Sequence, residues 1–251
     1  MFKEAILICA ATVLAVRSSH AAENRDLLWR VAQVCLANYE TTGAAFPCLD
    51  VNVKDGVAKG YAILRPPLGR RDTILTPTRR IIGIEDRSLV SADAPNYFED
   101  AWNARPFLTD NSEKRPARED IALVVNSRLT RSQDQLHIHL GCISDDVKRA
   151  FHTIEPRLSL AKWTRLSRAI HGLVYWARPI ARETLADVNP FRLVVDGIPW
   201  ARQDMASMTI IVAGTRSAQG RDGFLILVAR TERPITDIQP TAEDTLDPSC
   251  P

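Results

Sequence analysis

The chain has no strong surplus of either charge: 32 lysines and arginines stand against 30 aspartates and glutamates, a formal net charge of +2. That balance creates no field strong enough to imply nucleic acid as a partner, so phosphate recognition has to come from a local site. Glycine (11) and proline (15) are sparse among 251 residues, which excludes a collagen-like or low-complexity chain. No series of long apolar runs is present, which excludes a polytopic membrane protein. No internal repeat is visible, and no linker rich in Gly, Ser or Pro divides the sequence. What is there is a chain with 45% apolar residues, long enough to bury a sizeable core as one domain with insertions or two small ones.

Its one sustained apolar run lies at the start. Lys3 precedes Ala5–Val16, which as a helix would reach only about 18 Å against a hydrocarbon core of about 30 Å. Small residues follow in Ser18-Ser19-His20-Ala21-Ala22 and then the charged Glu23-Asn24-Arg25-Asp26. Residues 1–22 read as a secretory signal cleaved after Ala21 or Ala22, with an uncleaved N-terminal anchor as the alternative. An exported chain carries Cys35, Cys48, Cys142 and Cys250 as an even set, which favours disulfides over four reduced thiols.

Beyond this segment the periodicity alternates between helix and strand without regular βαβ units, which predicts an α+β fold. Asp26–Tyr39 has apolar residues at helical spacing. Val57–Pro66, Asp72–Thr76 and Ile81–Glu85 read as strands, with a turn at Pro66-Pro67-Leu68-Gly69. Asp93 and Pro95 signal the start of a helix to Asn103, whose Tyr97, Phe98 and Trp102 form a core stripe. A polar loop at 110–118 precedes Ile121–Val125, a compact buried strand. Gln135–Cys142 is a second strand, and Asp145–Ile154 a helix. Gly172–Trp176 reads as a strand, 182–204 as partly helical, and Met208–Ala213 with Phe224–Ala229 as a hairpin. After Pro234 the tail is acidic and turn-rich.

Chemistry concentrates in Gln135-Leu136-His137-Ile138-His139-Leu140. On a strand, Gln135, His137 and His139 share one face, while Leu136, Ile138 and Leu140 point into the core. Three readings fit: surface histidines on an ordinary strand, a metal pair, or phosphotransfer by a neutral imidazole. The metal reading has only His152 and His171 as further histidine ligands, with no HExxH motif and no Cys/His cluster. Phosphotransfer is supported by the preceding loop, where Arg128 and Arg131 supply positive charge and Ser132 and Gln133 hydrogen-bond donors.

The Gln135–Leu140 stretch resembles the His-φ-His-φ-His-φ-φ signature of the histidine triad (HIT) nucleotide hydrolases and transferases, with Gln135 in place of the first histidine. The resemblance implies that His137 is the nucleophile, that His139 stands on the phosphate side, and that Ser132 contacts phosphate. Further stretches narrow it: Leu75-Thr76-Pro77-Thr78-Arg79 running on to Gly83 and Glu85, Ala94-Pro95-Asn96-Tyr97-Phe98, Ala101-Trp102 with Ala104-Arg105, Asn126-Ser127-Arg128, Gln133 before His137, and Cys142-Ile143. With the four-cysteine layout these are similar to the exported bacterial CDP-diacylglycerol pyrophosphatases over about residues 27–250, most strongly over 74–151.

That resemblance implies a single HIT-like domain over 23–251, an antiparallel sheet with flanking helices and C-terminal additions. It implies hydrolysis of CDP-diacylglycerol to CMP and phosphatidate in phospholipid metabolism, at the outer face of the bacterial inner membrane. The expected partners are the liponucleotide and the membrane surface. His139, Ser132, Gln133 and Arg131 are the candidates for stabilising the anionic transition state, Arg79, Arg128 and Asn126 weaker ones, and Gln135 a strand-holding residue. The scheme requires no metal or other cofactor. A broader nucleotide hydrolase or transferase is the alternative enzyme, and a non-catalytic binding protein the alternative of another class. Among the three cysteine connectivities, Cys35–Cys48 and Cys142–Cys250 is the expectation: the first joins a helix end to a nearby loop, the second ties the tail to the histidine strand. Against it stands a buried Cys142 thiol with an exposed free Cys250.

Overall fold

A computed structural model of the protein describes residues 25–66, 73–109, 115–217, 219–232 and 240–250. The expected signal or anchor at 1–22 lies outside the described residues, as do parts of the turn at 66–69, the loop at 110–118 and the tail after Pro234.

Among the described residues there are four α-helices and one sheet of ten strands, an α+β arrangement. Helix α1 (Leu27–Thr42) ends at Gly43, whose positive φ of 77° lets its N–H return to the Tyr39 carbonyl. Strands β1 (Asp50–Asn52), β2 (Tyr61–Leu64) and β3 (Thr73–Pro77) form an antiparallel meander. Helix α2 (Tyr97–Asn103) leads to β4 (Ile121–Val125) and β5 (Ile138–Ile143), and helix α3 (Asp145–Ile154) follows directly. Then come β6 (Thr164–Arg165), β7 (Trp176–Ile180), helix α4 (Pro190–Gly197), the long hairpin β8 (Met208–Arg216) and β9 (Asp222–Arg230), and β10 (Leu246–Asp247). The spatial order is β1-β2-β3-β5-β4-β8-β9-β7-β6, all antiparallel, with β10 added at the end of β5. The histidine strand therefore lies inside the sheet, between β3 and β4.

Each strand divides its side chains between two faces. On one, Leu75, Leu123, Ile138, Leu140, Ile210 and Ile226 pack against Phe98 and Trp102 of α2 and Phe191 and Val194 of α4. The expected stripe of Tyr97, Phe98 and Trp102 is fully buried here. The other face carries two separate clusters. Val124, Ile211 and Leu227 lie under Val147 and Phe151 of α3 and Leu246 of the tail, while Ala62, Leu64 and Ile74 lie under Leu28, Cys35 and Leu36 of α1. Both expected disulfides are present, Cys35–Cys48 and Cys142–Cys250.

Several boundaries differ from the sequence pattern for identifiable reasons. Residues 81–85 are apolar but form no strand. The Ile81 carbonyl accepts from the Leu136 N–H and the Gly83 carbonyl accepts from Asp86, so no neighbouring strand is paired. Helix α2 is capped by Asn96, whose Oδ1 accepts from the Glu99 N–H, not by Asp93, which accepts from the Ser91 hydroxyl. The first expected strand shortens to Tyr61–Leu64 because 57–59 form turns. Residues 172–175 lead out of a tight turn, with His171 and Gly172 at φ of 44° and 79°, so β7 starts only at Trp176.

Candidate active site

Strand β5 begins at Ile138, later than the alternation suggests, and this changes the role of Gln135. Its side chain is engaged by the 77–81 segment. It is fully buried, donates from Nε2 to the carbonyls of Pro77 (3.0 Å) and Arg79 (3.1 Å), and accepts from the Ile81 N–H (3.3 Å). Three backbone groups of the 77–81 segment are thereby joined to the entry of the histidine strand. These are bonds of the kind the strand-holding expectation calls for.

The Gln135 backbone carbonyl lies 2.7 Å from Nδ1 of His137. A carbonyl oxygen only accepts, so Nδ1 carries a proton, and in the neutral ring the lone pair resides on Nε2. His139, opposite Ile74 on β3 and Val124 on β4, sits at the boundary between the two apolar clusters of its face. The rings stand edge to face with centroids 5.0 Å apart.

Both histidines line a cavity of about 580 Å³. Leu27, Leu28, Val31, Leu64 and Ile74 give it an apolar wall, and Thr130, Ser132, Gln133, Arg65 and Glu243 supply its polar groups. Gln133 is fixed there because its Oε1 accepts from the Leu28 N–H in the first turn of α1. A larger cleft of about 680 Å³ elsewhere, with Arg178, Arg182 and Arg192 on its rim, contains neither histidine.

Of the expected site residues, Ser132, Gln133, His137 and His139 converge on the cavity. The expected cations do not. Arg131 is buried, with its guanidinium held by Glu85 at 2.7 Å and Asp134 at 3.1 Å. It packs so closely on Gly83 that a Cβ at that position would fall 2.0 Å from Nη1. Arg25 also binds Asp134, and this hydrogen bond and that of Arg131 hold the Asp134 carboxyl down at about 2. Arg131 therefore buttresses the loop before the histidines, its charge already neutralised. Arg128 is exposed outside the cavity lining, and Arg79 is bound to the Ser88 hydroxyl. Arg65, which donates to the Phe107 carbonyl at 3.0 Å, is the arginine on the cavity wall. Asn126 is buried and donates to Glu243 Oε2 at 2.9 Å.

Glu243 escaped the sequence pattern. It lies 3.4 Å from Nε2 of His139, in the single helical turn Ala242–Thr245. The signal was legible: Thr241-Ala242-Glu243-Asp244 is a capping box, with Thr241 Oγ1 accepting from the Asp244 N–H and Asp244 from that of Thr241. The tail around it is ordered by pairing with β5 and by Cys250. Of the further histidines of the metal reading, His171 binds Asp146 on α3 at 2.9 Å. Among the described residues no group of three His, Cys, Asp or Glu side chains gathers as a metal site would require.

A paired-imidazole cavity with a fixed tautomer, a carboxylate and an apolar wall has the equipment of a hydrolase acting on an anhydride, and the sequence relationships give it that class. The family model for CDP-diacylglycerol pyrophosphatase matches residues 23–251, and the chain belongs to that family. A CDP-diacylglycerol pyrophosphatase from Yersinia pestis is 32% identical over 246 residues, covering 98% of this chain and 90% of that protein.

Proposed function

We propose that the chain hydrolyses CDP-diacylglycerol to CMP and phosphatidate by way of a covalent intermediate on His137, in the manner of histidine triad enzymes. The observation that carries this reading is the 2.7 Å contact between His137 Nδ1 and the Gln135 carbonyl, which leaves a lone pair on Nε2 of an imidazole in the cavity wall. Nε2 would attack the cytidine-side phosphorus and expel phosphatidate. That leaving group is a stable anion, so little proton donation is needed. Arg65, Ser132, Gln133 and His139 would meet the negative charge, and Leu27, Leu28, Val31, Leu64 and Ile74 would lie against the diacylglycerol end. Water would then release CMP from His137.

The proposed setting is the periplasm, at the outer face of the bacterial inner membrane, with residues 1–22 as signal or anchor. Two disulfides support an oxidising compartment. Leu27, on the cavity wall, and Phe46, adjoining the cavity residue Pro47, are 47% and 76% exposed, which supports contact with a lipid surface beside the site. The test is product analysis with CDP-diacylglycerol in ¹⁸O-water, with CDP-choline as competitor. Label in CMP, absent from phosphatidate and lost with His137→Ala, is expected. Label in phosphatidate, or equal preference for CDP-choline, would overturn the reading.

A further inference from the structure

The cavity has one feature that binding an anionic pyrophosphate does not explain. Glu243 is the only acidic residue among its described lining residues. A carboxylate beside two phosphates raises the electrostatic cost of binding, and simple anchoring of the tail would be served equally by a neutral amide. Yet the carboxylate is held in place with care. Its side chain is 13% exposed, Asn126 donates to Oε2 at 2.9 Å, and His139 Nε2 stands 3.4 Å from the same oxygen. The turn bearing it is closed by a capping box and flanked by β10, which pairs Leu246 with Ile143 and Asp247 with Cys142. Ser144 N–H also donates to the Thr245 carbonyl at 3.0 Å. The segment from Thr241 to Asp247 thus holds a carboxylate at the edge of the histidine pair.

We propose that Glu243 is the general base of the hydrolytic half-reaction, accepting the proton of the water that attacks the nucleotidyl–His137 intermediate, with Asn126 and His139 fixing its orientation. This rests on the His137 reading above. In the first half-reaction no proton acceptor is required, because Nε2 of His137 already holds a lone pair. In the second, neutral water has to become a nucleophile, and a positioned carboxylate serves that need. The water oxygen forms a bond to phosphorus, and its proton passes to the Glu243 carboxylate. The P–Nε2 bond breaks, its electron pair returns to the imidazole, and CMP leaves. Glu243 then gives up its proton to solvent.

Glu243→Gln keeps the shape and an acceptor for Asn126 while removing basicity. With CDP-diacylglycerol radiolabelled in the cytidine-side phosphate, rapid quenching in base should show this variant forming the protein adduct at a near-normal rate. Adduct decay and kcat should fall about 10²-fold or more, with KM lowered because the slow step follows adduct formation. Glu243→Ala should show the same accumulation, and added formate should restore part of its turnover. Adduct decay at the wild-type rate in both variants would overturn the proposal. So would adduct formation and decay slowed equally without formate rescue, the signature of a merely structural role. Failure of the underlying reading looks different: His137→Ala would keep turning over, or no enzyme form would carry label.

Discussion

At the scale of single residues, the short histidine segment divides between two jobs that its sequence does not separate. In the proposed mechanism His137 supplies the nucleophilic nitrogen, and His137→Ala should lower kcat by about 10³-fold or more while leaving the apolar face of β5 intact. Activity assays paired with a denaturation midpoint would check both halves, and a folded variant with near-normal turnover would refute the assignment. Gln135 holds backbone. Its replacement by His, which would complete the triad pattern, cannot supply two donors and an acceptor to Pro77, Arg79 and Ile81 at once. Gln135→His should therefore cost about 1–3 kcal/mol, seen as a lower urea midpoint, with activity retained within about tenfold in the molecules that fold. The local motif was legible in the sequence because alternation and chemistry coincide at His137 and His139. The role of Arg131 was not, since a basic loop residue looks the same in sequence whether it faces a phosphate or is sealed between Glu85 and Asp134.

At the scale of elements, long periodic segments declared themselves and short ones did not. Helix α3 runs from Asp145 to Ile154 as its pattern predicts, and the β8–β9 hairpin only extends the expected strands. Residues 81–85 failed because apolar content alone does not distinguish a strand from a buried loop whose polar groups are met by Leu136 N–H and Gln135 Oε1. The last turn showed in the sequence only through its capping box, and β10 not at all, being two residues long and stabilised by distant partners. If Glu243 acts as proposed, the Cys142–Cys250 bridge serves the site as well as stability. Closing a loop of 108 residues, it stabilises by about 5 kcal/mol at most in the chain-entropy model, against about 3 kcal/mol for the 13-residue Cys35–Cys48 loop. Cys142→Ser with Cys250→Ser should lower the unfolding midpoint and also kcat, because Glu243 is carried by the released tail. Unchanged kcat in the folded double variant would argue against the tail's part in the site.

At the scale of the whole molecule, one sheet carries three apolar clusters, and the site lies where the two on one face meet. Two properties of the whole follow. The first is a pH dependence of stability. Burial, followed by the charges of Glu99 and Asp55, raises the Asp100 carboxyl to about 7. The unfolded chain releases that proton near pH 4 and the folded chain only near 7, so folding becomes less favourable as pH rises across this window and levels off above it. The shift sets an upper bound of about 4 kcal/mol, reduced by remaining solvent contact. Asp100→Asn should therefore raise the melting temperature at pH 8 and leave it nearly unchanged at pH 4. An equal gain at both values would contradict the assignment. The second belongs to the proposed setting, contact with a lipid surface. Phe46→Ser should weaken hydrolysis of CDP-diacylglycerol in vesicles several-fold more than in mixed micelles, and an equal effect in both would remove Phe46 from that surface.

The central claim, that a nucleotidyl group passes through His137, is tested most directly by trapping it. Wild-type protein quenched in base during the first turnover, digested and mapped by mass spectrometry should carry a cytidylyl group on the peptide containing His137, bound to nitrogen and labile in acid. A cytidylyl group on His139, or single turnovers that complete with no nucleotide on the protein at any time, would contradict the account.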